Sequence, residues 1–434
     1  MIAWLLISFF VLLFLGVPIA MSLGLSAMGG ILFLGGGSTV TIAQRMFEGM
    51  NSFALLAIPL YTFAGFTMSK GGISKRLMDF CYSIVGHIYG GLAHVNVLSS
   101  MIFAGISGSA VADTAGVSGM FMPEMVRKGY SKNFTVAVTA ISSTIGIIIP
   151  PSIPMVVIAG ICGISTGKLF LGGIIPGVLC GLAQMIVSYF MAKKEGVPKE
   201  PGHFTIGPVL HGLWESWPAL LMPIIIVGTI TMGIVSPTEA GVIAVVYGLF
   251  AGGIIYRELK WEDIKFAFAE TVRTSGRIFI VIGAAKLYTV MLTTAGFDKW
   301  VAKTMLGFST NPTVILIMIL LIFFIVTMFM ESIATLTLFM PILYPIALGV
   351  GIDPIVLSVL ITVVIGVGLV TPPVGMCIYV ACDLMDVTVG EVFPTLVPFI
   401  AATFVCIALM VAFPQLILLP TSCLLYTSPS PRDP

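Results

Sequence analysis

Residues 144–154 read TIGIIIPPSIP, inside an apolar run where a helix is the default expectation. Pro150 and Pro151 each remove a backbone donor and clash with the preceding turn. Ile149, just ahead of them, is pushed out of helical geometry as well. A helix invited by composition is thus cancelled at its centre. In hydrocarbon an unpaired backbone group costs several kcal/mol, so such a break persists only where protein or a water-filled site satisfies it. The nature of the surrounding solvent therefore decides how this stretch is read.

Composition answers that question. Of 434 residues, 58% are hydrophobic and 9% charged, against about 25% charged in soluble domains. Apolar runs recur at 1–34, 53–68, 83–111, 134–164, 169–192, 218–235, 240–256, 278–295, 313–330, 355–382 and 395–420. Most approach the roughly 20 residues that span a bilayer. The expected fold is an all-α polytopic membrane protein with about 10–12 transmembrane segments or part-crossings. A net charge of +1 and the lack of a basic patch exclude nucleic acid as a partner. Seven cysteines without a CxxC pair and four histidines without zinc-like spacing predict neither a disulfide framework nor a transition-metal site. No Gly-x-x-x-x-Gly-Lys-Ser/Thr loop occurs, so pumping would draw on an ion gradient or a separate ATPase. The N-terminal apolar text has no positive leader and outruns a signal peptide, which predicts a retained membrane segment. Residues 421–434, TSCLLYTSPSPRDP, turn Ser/Pro-rich and are expected to be a disordered tail or an assembly scar outside the fold.

The break is made twice. GIIIPPSIPMVVIAG (146–160) aligns with GLVTPPVGMCIYVAC (368–382), and Thr166 and Pro176 meet Thr388 and Pro398 at the same offset. DTAGVSGMFMP (113–123) aligns with ESIATLTLFMP (331–341), which makes Asp113 and Glu331 equivalent. GVPIAMSLGLSAMGG (16–30) resembles IVSPTEAGVIAVVYG (234–248). The unit, about 190–200 residues, is too long for a solenoid and of the size from which transporter folds are duplicated. The expected organisation is a first repeat over 1–192, a cytoplasmic linker over 193–216 and a second repeat over 217–420. Lys193, Lys194 and Lys199 lie on one loop, and Arg257, Lys260 and Lys265 follow two crossings later. By the positive-inside rule both are cytoplasmic; the uncharged N-terminus is compatible with starting outside, and if it does, each unit has an odd number of crossings and the two units are inverted.

Paired breaks in corresponding positions of two halves point to a binding site. The prolines free carbonyls from Gly146 to about Ile149 and from Gly368 to about Thr371, hard oxygen ligands suited to a dehydrated alkali cation; Thr371 adds a hydroxyl. A plain proline kink is the bland alternative for either motif alone. Each break is preceded by a segment rich in small and hydroxyl residues. FAGISGSAVADTAGVSG (103–119) reads as a re-entrant hairpin over about 103–123, with Ser107, Ser109 and Thr114 near its tip, ahead of a broken helix over about 134–164. TMFMESIATLTLF (327–339) belongs to a second hairpin over about 313–345, with Thr327, Ser332, Thr335 and Thr337, ahead of a broken helix over about 355–382. Close helix packing through small residues is the alternative here. Asp113 and Glu331 are intramembrane acids, and such groups are functional candidates by default; Asp113, Thr114, Glu331 and Ser332 are the candidates for substrate binding or coupling. Glu239 in SPTEAG reads as a helix-start residue. Gly105-Ile106-Ser107-Gly108 superficially matches an intramembrane serine protease, with His87 or His94 as nominal base. It occurs in one half of a duplicated chain, and its histidines lack a partner motif.

SGSAVADTAGVSG, the paired IIIPPSIP and LVTPPVG, SPTEAG and the duplication together resemble the large membrane subunit (M subunit) of tripartite ATP-independent periplasmic (TRAP) transporters, over residues 1 to 415 or so. The resemblance implies a sodium-coupled importer of the ion transporter superfamily, with an elevator-type transport domain moving against a scaffold. It further implies a small four-helix membrane subunit, a periplasmic substrate-binding protein, an organic or sugar acid as substrate, and the inner membrane of a bacterial or archaeal cell. Carried over by residue, sodium falls on Ser107, Ser109 and the carbonyls around Gly146, Ile149 and Pro151. In the second half it falls on Gly368, Thr371, Val374 and the carbonyl of Thr327, where the family often has glycine. A standalone sodium/anion symporter of the same superfamily and a passive channel remain alternatives at this level.

Overall fold

The structure, a computed structural model, describes residues 1–34, 38–197 and 205–422, and among these the regular structure is helical. The first half runs α1 (Ile2–Phe14), α2 (Ile19–Leu34), α3 (Thr39–Met50), α4 (Ala57–Lys70), α5 (Ile73–Val85), α6 (Gly91–Ser107), α7 (Ala110–Arg127), α8 (Lys132–Ser143), α9 (Ile153–Cys162) and α10 (Thr166–Lys194). The second runs α11 (Ile206–Thr231), α12 (Pro237–Phe250), α13 (Trp261–Thr294), α14 (Phe297–Phe308), α15 (Pro312–Thr327), α16 (Ser332–Gly349), α17 (Pro354–Gly368), α18 (Met376–Asp383), α19 (Val389–Ala412) and α20 (Gln415–Ser422).

Hydroxyl, amide and acid side chains punctuate this apolar text. Ser109, Ser131, Ser152 and Ser165 cap α7, α8, α9 and α10, each oxygen accepting from an amide in the first turn. Asn311, Glu331 and Asp353 do the same for α15, α16 and α17. Ser236 and Glu239 form a reciprocal capping box at α12, the role expected for Glu239. In lipid these caps matter because no water is present to satisfy the first amides of a helix.

Seven helical segments are long and apolar enough to cross a membrane, among them α10, α11, α13 and α19. The apolar helices α6, α9, α15 and α17 are shorter. With 17, 10, 16 and 15 residues, none reaches the roughly 20 residues of a full span. All four adjoin a hairpin tip or a double proline, so the short lengths follow from the interruptions in the sequence. The hairpins close at Ser107–Ser109, between α6 and α7, and at Met328–Glu331, between α15 and α16. The first hairpin is longer than its expected 103–123, because its arms extend from Gly91 to Arg127. The polar interval expected as a linker to residue 216 is helical from Ile206: Trp214, Trp217 and the apolar residues after them extend α11 backward. Residues 198–204, including Lys199 and His203, lie outside the described residues. So do 423–434 of the expected tail, whose first two residues complete α20.

The halves interlock. α2 packs on α13, and its sequence counterpart α12 packs on α4. α18, from the second half, packs on α7 and α8 of the first, while α17 packs on the tight turn at Thr144–Ile147. Both double-proline segments are thereby drawn into one cluster with the two hairpins.

Candidate functional site

In an unbroken helix the carbonyl of residue i accepts from residue i+4. Gly146 and Ile147 would bond to Pro150 and Pro151, and Gly368 and Leu369 to Pro372 and Pro373, none of which has a proton to give. The Pro150–Pro151 and Pro372–Pro373 peptides are both cis. In each half the second freed carbonyl is recaptured: Ser152 donates its hydroxyl to Ile147 at 2.5 Å, and the Cys377 amide donates to Leu369 at 2.9 Å. The first is treated differently. Gly368 accepts from the Thr371 amide at 3.1 Å, whereas the described turn, loop and cap bonds include none to the Gly146 carbonyl. The expected set of freed carbonyls, Gly146 to Ile149 and Gly368 to Thr371, is thus narrower in the folded chain.

Each hairpin tip is tied across its break by one backbone bond. Ile153 donates to the Gly108 carbonyl at 3.2 Å, and Val374 donates to the Met328 carbonyl at 2.9 Å. Gly108 adopts φ +64° and lies so near the Pro151 carbonyl that a Cβ would stand 2.7 Å from that oxygen, so the first tip needs glycine for both reasons. The glycine opening each break also meets its hairpin closely. A Cβ on Gly146 would collide with Asp113 Oδ2, and one on Gly368 would lie 2.7 Å from Thr327 Cβ. Ser107, Ser109, Gly146, Ile149 and Pro151 therefore gather at the first break, and Thr327, Gly368, Thr371 and Val374 at the second.

The acids are where the sequence reading requires correction. Asp113 and Glu331 are not equivalent. Glu331 is the N-cap of α16, with Oε2 accepting from Ile333 at 3.0 Å and Ala334 at 3.3 Å, and Oε1 accepting from Ser332 at 3.0 Å. Its counterpart in the first hairpin is Ser109, the N-cap of α7, at the same separation along the chain as Gly146 and Gly368. Asp113 sits one turn further into its helix, where the second half has Thr335. The FMP match aligned the two hairpins one turn out of step. The consequence is chemical. Asp113 is 0% exposed, accepts the Ser107 hydroxyl on Oδ1, and has no hydrogen-bond partner on Oδ2, which lies against Gly146. A buried carboxylate oxygen without a partner is costly. It faces the one break that also keeps a freed glycine carbonyl.

The remaining candidates are placed as follows. Ser109 accepts from Ala112 at 3.4 Å; the Ser107 oxygen also accepts from the Ser109 amide at 3.3 Å. Thr114 is buried and lies 2.5 Å from Ser143 at the end of α8. Thr371 donates to the Val367 carbonyl at 2.7 Å, which leaves its lone pairs free, and Thr327 donates to Phe323 at 2.6 Å. Val374 is exposed beside the second break, whereas Gly146 and Pro151 are buried. Sequence reasoning missed Ser143, Ser152 and Cys377; a serine directly after a double proline is the signal that would have pointed to Ser152. The protease arrangement is not formed: Ser107 donates to Asp113, and the His94 ring pairs with the Tyr89 carbonyl at 3.1 Å. His94 and Ser107 share α6, about 20 Å apart along its axis.

Residues 6–416 match the family described as the tripartite ATP-independent periplasmic transporter, DctM component. The chain is 37% identical over 393 residues to an isethionate TRAP transporter permease protein of Oleidesulfovibrio alaskensis, covering 91% of this chain and 62% of that protein. It is 35% identical over 408 residues to the sialic acid TRAP transporter large permease of Vibrio cholerae, covering 94% and 95%. Among solved structures, Neisseria gonorrhoeae MtrF shares the fold with a TM-score of 0.57 at 14% identity, covering 86% of this chain and 84% of that one. The sequence relatives are named as transporter permeases, not enzymes. On that match, over nearly its whole length, the chain belongs to the DctM-component family of tripartite ATP-independent periplasmic transporters and is a multi-pass membrane subunit of that class.

Proposed function

We propose that this subunit imports an organic anion, a carboxylate such as an organic or sugar acid, across the inner membrane by coupling its entry to a sodium gradient. The observation that carries the reading is the buried, unpartnered Asp113 Oδ2 facing Gly146 at a helix break that is repeated in the second half. One sodium ion is held by Asp113, Ser107, Ser109 and the carbonyls of Gly146, Ile149 and Pro151. A second is held by the carbonyls of Thr327, Gly368 and Val374 with the Thr371 hydroxyl. Sodium draws each tip and break into a fixed geometry, and the helix N-termini at the tips, with Thr114 and Ser332 nearby, offer amides and a positive dipole end to the substrate anion. Coupling arises because the anion site is complete only with both ions in place, a shift among pre-existing states.

The two repeats are inverted, the N-terminus is periplasmic, and the hairpins move with the broken helices as an elevator against a scaffold. A periplasmic binding protein delivers the substrate, and a small four-helix membrane subunit braces the scaffold. Support for the anionic substrate comes from relatives named for isethionate and sialic acid, both organic anions. The test is uptake into proteoliposomes holding this chain, the small subunit and the cognate binding protein. Uptake that follows an imposed inward sodium gradient supports the reading. Uptake indifferent to sodium, or ion current without saturable uptake, sinks it.

A further inference from the structure

The first break is shaped by a helix that carries none of the site residues. Ile148 and Ile149 lie between the tight turn at Thr144–Ile147 and the cis prolines, outside any helix. The described turn, loop and cap bonds include none to the carbonyl of either residue. Packing therefore has to set their direction, and α10 supplies it. This helix reads GGIIPG at 172–177, and Gly173 and Gly177 stand one turn apart on the same face. A Cβ on Gly173 would collide with the Ile148 carbonyl oxygen, and one on Gly177 with Ile149 Cγ1.

Neither obstacle can step aside freely. Ile148 is 1% exposed, and its oxygen moves only if the peptide joining it to Ile149 turns. Ile149 is β-branched and stiff at χ1. A turned peptide would shift the Ile149 carbonyl relative to Gly146 and to Asp113 Oδ2, the buried oxygen left without a partner at this break. The second half is built differently. Pro176 matches Pro398 in the repeat, so Gly173 and Gly177 match Thr395 and Phe399. Phe399 stacks on Phe134 of α8, with ring centroids 6.3 Å apart. The glycine pair thus serves one break and not its copy.

We infer that Gly173 and Gly177 are positioning residues for the first cation site, so that the seating of α10 governs one of the two ions. This rests on the sodium reading above. It adds that the two sites differ in what builds them, the first depending on α10 and the second not.

Equilibrium binding of radiolabelled sodium to the purified chain in lipid nanodiscs tests it, against choline at constant ionic strength. The wild type is expected to bind two ions. Gly173→Ala is expected to weaken one of them about fivefold or more, the usual penalty of overpacking, and to leave the other at its wild-type half-saturation. The retained ion shows that the variant is folded. Gly181→Ala, on the same helix, meets only the flexible Met101 side chain and is expected to bind both ions as the wild type does. Gly177→Ala is expected to weaken the same ion as Gly173→Ala. Adding Ile149→Ala is expected to restore it, because the next contact is then the backbone nitrogen of that residue at 3.5 Å and its carbonyl is kept. General loss of packing would not produce that rescue, and this pair serves if Gly173→Ala does not fold. A Gly173→Ala protein that binds both ions like Gly181→Ala, or that weakens both alike, overturns the inference. So does a Gly177→Ala/Ile149→Ala protein that stays weak. Wild-type binding of fewer than two ions fails the earlier reading instead.

Discussion

Adding one methyl group at Gly146 is the sharpest perturbation of the first break. Its backbone is not in the left-handed region, so alanine fits the chain conformation. The obstacle is Asp113. The new Cβ would collide with Oδ2 and stand 3.1 Å from Cγ, while Oδ1 is held by Ser107 and resists rotation of the carboxylate. Overpacking of a buried site typically costs about 1–3 kcal/mol. If that cost is felt where Asp113 and Gly146 converge on an ion, it weakens sodium about 5- to 150-fold, at 1.4 kcal/mol per tenfold. Gly116 and Gly119, on the same hairpin arm, have open space within 4 Å of where a Cβ would stand and are the natural controls. Alanine there is expected to be neutral or to stabilise by up to about 1 kcal/mol.

Thermal unfolding of the purified chain in sodium chloride against choline chloride reads the effect. A ligand present at 100 times its dissociation constant adds about 2.7 kcal/mol to stability. A hundredfold loss of affinity would leave about 0.4 kcal/mol of that. Gly146→Ala should therefore lose most of the sodium-dependent rise in midpoint, with Gly116→Ala and Gly119→Ala retaining it. A Gly146→Ala protein stabilised by sodium as fully as the controls would refute the placement of an ion between Asp113 and the first break.

Three further outcomes follow. Asp113→Asn keeps an acceptor for Ser107 but removes the charge, and sodium-driven uptake should fall by about tenfold or more; unchanged uptake would remove the carboxylate from the site. Thr371→Val nearly preserves shape and deletes a hydroxyl that donates to Val367 at 2.7 Å; the sodium needed for half-maximal uptake should rise, and an unaltered sodium titration would exclude Thr371 as a ligand. Glu331→Ala removes the α16 cap and should lower stability by about 0.5–2 kcal/mol in sodium and in choline alike, since this acid is engaged by its own helix; a selective loss of the sodium increment would argue that Glu331 serves the ion.

Much of the architecture was legible before folding because it rests on covalent facts. A double proline cannot continue a helix in any surroundings, and its recurrence at matched positions exposed the duplication directly. Small and hydroxyl residues placed the first tip inside the expected 103–123 segment. The equivalence of Asp113 and Glu331 was the misreading. FMP occurs in both hairpins, but on α7 and α16 it lies one turn out of register with the caps, and letters alone do not reveal which turn a helix begins on.

What was open to reading in the chain was therefore the set of places where the backbone must break and the carbonyls that each break releases. The packing alone settled which of those carbonyls are recaptured, by Ser152 in one half and by the Cys377 amide in the other, and which acid is left with an unpartnered oxygen. The physical reason is the solvent. In water an amphipathic stripe tells which face of a helix turns inward, but in lipid both faces are apolar and that signal disappears. Contacts such as those of α18 with α7 and α8 join residues far apart in sequence through helices whose text reads alike on every side. Their meeting is set by close packing of small and hydroxyl groups, a property of the folded molecule that no local pattern carries.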